Sequence, residues 1–287
     1  MSKIAIVTDS TSDLPNKVTK DNGIFVVPLN VHFGDETFID GVNLDTSEFY
    51  PKLISSEFHP TTSQPSVGTF LETYENVLKS HDSIISIHIS SKLSATYSSA
   101  LQAKEQLSND NIKVIDSKNG TLGLGALVHY ISKISKKEKD LEALTSVANQ
   151  MIDKSQFYGL CATLEYLAKG GRIGAKGGRI GKAQKFLGSL LKVKPILWAN
   201  GFDGEIGSVA KVKTFSKGMD YLVDIVRDNQ IEDLFVVHGG DIESANILIK
   251  KLEEVIDPKN IIISEFGPVV GTHLGPGSFG IGFVTTE

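Results

Sequence analysis

Ile84-Ile-Ser-Ile-His-Ile89 leads through Ser90-Ser-Lys-Leu-Ser94 into a helical segment over residues 95–107, and Ile112-Lys-Val-Ile115 follows. The first and last runs are short, apolar and β-branched, which reads as strand. The segment between them is long enough to cross over and bring the second strand back parallel to the first. The same grammar extends outward. Residues 4–7 read as a strand, 11–21 as a helix, and 24–27 and 31–33 as strands. Asp45-Thr-Ser-Glu48 resembles a capping box opening a helix near residues 46–57. Helices are predicted over 67–79, 120–135 and 140–153. This alternation points to an α/β layer with a parallel sheet.

Beyond residue 154 the texture changes. Strands are predicted at 157–162, 195–198, 206–212, 234–237, 261–265 and 280–285, with helices at 182–192, 214–229 and 242–256. Tyr221, Leu222, Ile225 and Val226 fall on one helical face. Residues 206–212 are expected to pair with neighbouring strands without an intervening helix, so this half reads as a mixed sheet. The boundary is placed near 153, giving a unit over residues 1–153 and a second over 154–287.

The chain of 287 residues has a formal charge of −5 and 40% hydrophobic content, an ordinary composition for a globular protein. Mild acidity argues against nucleic acid as the main partner, which takes a basic face. With Cys161 the sole cysteine, no internal disulfide can form, and a reducing, cytoplasmic setting is expected. The start lacks the basic and long apolar regions of a signal peptide. No apolar run is long enough to span a membrane.

Three junctions share a strand, a hydroxyl-rich turn and a helix: Thr8-Asp-Ser-Thr-Ser-Asp13, Thr61-Thr-Ser-Gln-Pro-Ser66 and Ser90-Ser-Lys-Leu-Ser-Ala-Thr96. In open α/β sheets, ligands gather at the carboxyl ends of strands. Helix N-termini there suit a carboxylate or a phosphate. Each hydroxyl has a structural alternative as a helix cap, and Pro65 fits a first helical turn. The junctions hold more hydroxyls than their helices need as caps.

Familiar nucleotide and catalytic motifs do not fit. Gly275-Pro-Gly-Ser-Phe-Gly280 matches G-x-G-x-x-G, but it lies near the end of the chain with no second βα unit after it. The tandem Lys169-Gly-Gly-Arg-Ile-Gly-Ala175 and Lys176-Gly-Gly-Arg-Ile-Gly-Lys182 contains no P-loop. No G-x-S-x-G elbow is present. The seven histidines have no zinc-site spacing. His273 is singled out because Gly271-Thr-His-Leu-Gly-Pro-Gly277 reads as a turn that lets the backbone approach a ligand. Its alternative role is to satisfy loop carbonyls.

The stretches Val7-Thr-Asp-Ser-Thr-Ser-Asp-Leu14, Thr62-Ser-Gln-Pro65, Ile89-Ser-Ser-Lys-Leu-Ser-Ala-Thr-Tyr97, Leu164-Glu-Tyr-Leu-Ala-Lys-Gly-Gly-Arg172, Leu191-Lys-Val-Lys-Pro195 and His273-Leu-Gly-Pro-Gly277 span nearly the whole chain in order. Together they resemble the DegV family of bacterial fatty-acid-binding proteins. The resemblance implies two α/β domains. The N-terminal one would be a three-layer α/β/α unit with a parallel sheet, and the C-terminal one a two-layer mixed sheet with helices. It implies a long-chain fatty acid such as palmitate in a buried apolar tunnel, its carboxylate bound by Thr62, Ser94 and His273. Arg172, Arg179, Ser63 and Thr96 become possible contacts to the head group or a partner.

The resemblance also implies a non-catalytic carrier with no metal and no cofactor besides the bound lipid. A partner fatty acid kinase would form the acyl phosphate for phospholipid synthesis, and the chain would be a monomer apart from that kinase. The competing expectation is a phosphotransferase or hydrolase using the Ser/Thr cluster and His273 directly. Two departures stand out. Ala95 replaces the family's usual glycine, and the G-G-R-I motif is doubled, so Arg172 and Arg179 compete for one family arginine.

Overall fold

A computed structural model describes residues 3–171, 194–199 and 201–286. Its first sheet is all parallel, in the order β2(Ile24–Val27), β1(Ile4–Asp9), β6(Ser83–His88), β7(Ile112–Asp116). The two central strands are buried along their full length, as expected of strands covered on both faces. Successive side chains point to opposite faces. Ala5, Val7 and Ile84 therefore pack with Phe70 and Tyr74 of α3(Val67–Leu78) and Ala100 and Ala103 of α4(Thr96–Leu107). Ile4, Ile6, Ile85 and Ile87 face the opposite way.

What they meet there is α5(Thr121–Ser135) and α6(Leu141–Ile152). The same cluster includes Phe157, Leu197, Phe235 and Val237 of a second sheet. That sheet runs β10(Gly207–Val212), β9(Lys194–Ala199), β8(Ser155–Leu160), β13(Phe279–Thr285), β11(Ile231–His238), β12(Ile261–Glu265). Its pairings are antiparallel except β11 with β12. α8(Phe215–Arg227) and α9(Ile242–Leu252) cover its far face. The fold is thus mixed α/β with one parallel and one mixed sheet. α5 is apolar nearly all round because it lies between the two sheets. A side chain on Gly282 of β13 would strike the Leu122 backbone oxygen at 2.5 Å, so glycine there is what lets helix and sheet close together.

Asn119, just ahead of α5, pins the layers. Its Nδ2 donates to the Ser155 carbonyl at 3.0 Å, and its Oδ1 accepts from Gly120 N at 3.0 Å.

Several sequence expectations are corrected. The single helix over 11–21 is a 3-10 turn at Ser10–Ser12 followed by α1(Asn16–Asn22), separated at Pro15. A third, antiparallel sheet in the order β4(Glu36–Ile39), β3(Asn30–Phe33), β5(Thr61–Ser63) takes in residues read as a turn. β5 carries no apolar alternation. It is a strand because Val31 pairs with Thr62. Pro65 precedes the cap Ser66 instead of opening the helix. Asp45 does cap α2(Thr46–Ser55), accepting from Glu48 N at 3.0 Å. Two short helices, α7(Glu165–Lys169) and α10(Pro268–Leu274), were not anticipated. The predicted helix over 182–192 lies outside the described residues, as do Arg172 and Arg179.

Candidate functional site

Several of the junction hydroxyls are spent on structure. Asp9 accepts from Thr11 N at 3.1 Å and from the Thr11 hydroxyl. The Ser10 hydroxyl accepts from Leu29 N at 3.1 Å. Ser66 caps α3 through Thr69 N at 3.0 Å. Ser90 donates to the Gly204 carbonyl at 2.6 Å, tying the third junction to the loop before β10.

Thr62 and Ser94 are placed differently. Both are half-buried and line one cavity of about 130 Å³. Thr62 is presented by β5. Its Oγ1 lies 3.0 Å from Nε2 of His273, a contact across 211 residues of sequence. His273 is in the last turn of α10, not in the turn expected from its glycines. Ser94 sits on the turn into α4. Its Oγ is 2.9 Å from Thr96 Oγ1 and accepts from Thr96 N at 3.3 Å. Ser63 and Gln64 also line the cavity. Ser63 Oγ is engaged by His32 Nε2 at 2.9 Å. Thr96 is fully buried behind Ser94 and does not line the cavity.

The rest of the wall is largely apolar: Leu29, Ile89, Leu93, Phe157, Leu197 and Val269 among others. A concave apolar chamber with a few convergent polar groups at one place is the usual form of a small-molecule site. Hydroxyls donate and accept, and an imidazole does either according to tautomer. Thr62, Ser94 and His273 together can therefore hydrogen-bond a carboxyl group in either protonation state. Phe157 and Leu197 come from strands, Val269 from a helix and Leu29 from a loop, and no local motif marked these four, whereas Ile89 and Leu93 fall within the Ile89–Tyr97 stretch.

A second constellation carries a familiar arrangement without access. His88 Nδ1 lies 3.0 Å from Asp9 Oδ2, and its Nε2 lies 2.6 Å from Ser86 Oγ. Tyr74 OH donates to the same Ser86 oxygen at 2.9 Å. The order Asp–His–Ser is that of a hydrolytic triad. All three residues are fully buried in the parallel sheet, and none lines the cavity. The chain Tyr74–Ser86–His88–Asp9 instead satisfies polar groups that the core would otherwise strand. Among the described residues, no group of His, Cys, Asp and Glu side chains is arranged to hold a metal ion, and no helix is long and apolar enough to cross a membrane.

Two stacked sheets with a largely apolar chamber, lined by hydroxyls and an imidazole, define a class of mixed α/β fold with a cavity suited to a small molecule. A family model described as "Uncharacterised protein, DegV family" matches residues 3–286, and the chain belongs to that family. A DegV domain-containing protein of Caldanaerobacter subterraneus subsp. tengcongensis is 35% identical over 287 residues, covering 99% of each chain. A DegV family protein of Thermus thermophilus, whose structure is described as fatty acid binding, superposes with a TM-score of 0.87 at 30% identity, covering 99% of both chains. DegV of Bacillus subtilis, described as a fatty acid binding protein, gives 0.84 at 32% identity with full coverage of both.

Proposed function

We propose that this chain binds a long-chain fatty acid such as palmitate in the chamber, with the carboxyl head at Thr62, Ser94 and His273. The observation that carries the reading is the 3.0 Å contact between Thr62 Oγ1 and His273 Nε2 in the wall of a largely apolar cavity. Solved relatives described as fatty acid binding share the whole fold. Burying a sixteen-carbon tail is worth about 0.8 kcal/mol per methylene, or roughly 12 kcal/mol before the cost of ordering the chain. The head group is the expensive part, since a buried unpaired carboxylate costs several kcal/mol. Hydroxyls and an imidazole offset that cost reversibly, whereas an arginine fork would hold the anion tightly and hinder its release.

On this reading the division near residue 153 is functional. The unit over 1–153 supplies Thr62 and Ser94, and the unit over 154–287 supplies His273. The protein is a cytoplasmic carrier that presents the carboxylate to a partner ATP-dependent kinase, with Arg172, Arg179 and Ser63 as candidate contacts for the head group or that partner. Thr96 acts through Ser94, whose hydroxyl it holds.

The test is solvent extraction of the purified protein followed by lipid mass spectrometry. The wild type is expected to release a long-chain acid. A Thr62→Ala, Ser94→Ala double variant should lose most of it, since each hydrogen bond to a charged group contributes about 1.5–3 kcal/mol. An undiminished load in a folded double variant would overturn the head-group assignment.

A further inference from the structure

The first copy of the tandem Lys-Gly-Gly-Arg-Ile-Gly repeat begins at Lys169, the last residue of α7. Gly170 caps that helix, donating from its N–H to the Tyr166 carbonyl at 2.9 Å. The two glycines after α7 serve different needs. Gly171 has φ +66°, a left-handed conformation that favours glycine, and a side chain there would meet nothing within 4 Å. Gly170 has φ −74° and ψ 6°. Asp228 adopts nearly the same backbone at the end of α8, with φ −86° and ψ 0°, so what Gly170 supplies is space. A side chain on it would begin 2.5 Å from Nδ1 of His273 and 3.3 Å from Cε1 of the same ring. The contact is reciprocal, since a side chain on Gly275, which caps α10, would begin 2.2 Å from the Tyr166 ring of α7. At the opposite end of α10, Pro268 lines a second cavity of about 580 Å³ with Asp13, Asp40, His238 and Glu265. The helix therefore borders open space at its start and is packed tightly at its last turn.

We propose that Gly170 is a positioning residue for His273, and that the first copy of the repeat, not the second, serves the head-group site. The proposal rests on the fatty-acid reading for its ligand, but not for its geometry. The imidazole is held between two neighbours. Its Nε2 lies 3.0 Å from Thr62 Oγ1, and its Nδ1 backs onto Gly170 with no room for a methyl group. Non-bonded heavy atoms settle at about 3.5 Å, so a methyl on Gly170 displaces the ring by about 1 Å. A 3.0 Å contact stretched or turned by that much leaves hydrogen-bond range. The seat lies directly after α7, whose Leu167 lines the chamber and whose Tyr166 ring is 5.9 Å from that of His59. Gly170 fills it. The requirement for glycine at this place falls on the first copy and not on Gly177, the equivalent position of the second.

The experiment is a double-variant cycle on the full chain, read by palmitate affinity after lipid removal and by long-range proton–nitrogen NMR of the histidine rings. Gly170→Ala should weaken palmitate binding about tenfold and shift the ring nitrogens of His273. Gly177→Ala should do neither. In a His273→Ala background, Gly170→Ala should cause no further loss, because the ring it displaces is gone. If Gly170→Ala alone is unstable, the same double variant should regain the thermal midpoint of His273→Ala. A midpoint that stays low would place the effect within α7 and overturn the proposal. So would wild-type affinity with unshifted ring nitrogens in Gly170→Ala, an undiminished loss in the His273→Ala background, or equal losses at Gly170 and Gly177. If the wild type binds no palmitate, the fatty-acid reading fails, and the ring shifts in lipid-free protein still decide the role of Gly170.

Discussion

Asp40 gives the sharpest handle on the energetics of this fold. Burial pushes its carboxyl up from 3.8 to about 7. The Ser10 hydroxyl and the Val269 N–H pull the other way, and the charge of Asp9 adds to the rise. The folded protein therefore holds this proton more tightly than the unfolded chain does. That contribution is complete below the unfolded value and is lost as pH climbs through about 7. At 1.36 kcal/mol per pH unit it amounts to about 4 kcal/mol in full, and to about 3 kcal/mol between roughly pH 5 and pH 9. Asp13, also raised by burial, falls in the same direction, so the measurement must be a difference. Urea unfolding followed by circular dichroism across this range should show the wild type losing about 3 kcal/mol more than Asp40→Asn. Parallel pH profiles for the two proteins would refute the reasoning, because they would mean that Asp40 is already ionised or well solvated in the native state.

Two further outcomes are expected. Gly282→Ala would drive a methyl to 2.4 Å from Leu122 Cβ and 2.5 Å from its backbone oxygen, so thermal unfolding should fall by several degrees for a cost of about 1–3 kcal/mol. An unchanged midpoint would mean that α5 and β13 are not in the contact described. Ser86→Ala strands Tyr74 OH and His88 Nε2 and should cost about 1–3 kcal/mol in denaturant midpoints. The extracted lipid should stay unchanged, and a loss of bound acid at full stability would show that this network reaches the chamber.

Much of the fold was legible because it rests on local pattern. The β-branched runs at Ile4 and Ile84, alternating with helical segments, announced a parallel sheet, and the change of texture after residue 154 announced the mixed sheet. What stayed hidden depends on distant partners. β5 is three hydroxyl-bearing residues whose strand character comes from pairing with β3, 31 residues away in sequence at Val31 and Thr62 and silent in any local window. α10 was masked by its glycines. Gly271 and Gly275 read as a turn, yet a side chain on Gly271 would meet Phe49 at 2.7 Å, so this glycine serves close packing. The hydroxyl motifs were visible as motifs, but which hydroxyls cap and which face the chamber was decided by packing. Ser66 and Thr62 sit four residues apart in one motif and do different work. The second cavity had no signature at all, because Asp13, Asp40, His238 and Glu265 come from separate elements.

Asp13 ties these pieces together. Its side chain takes hydrogen bonds from Thr121, which lines the first chamber, and from the backbone of Gly267, which lines the second. Its carbonyl accepts from Ser264, and Tyr50 OH holds the adjoining Phe266 carbonyl at 3.0 Å. The bonds at Ser264, Phe266 and Gly267 fix the approach to α10, whose first residue, Pro268, lines the second cavity and whose last turn carries His273. A helix of only seven residues has little stability of its own, so its position is set by the bonds at its entrance and by Val269 and Leu274 in the core. The imidazole that meets Thr62 is therefore placed by a carboxyl group that belongs to the other half of the chain. Buried carboxyls are costly, and a composition rule would call Asp13 a liability. In this fold it is the residue through which one wall serves two cavities.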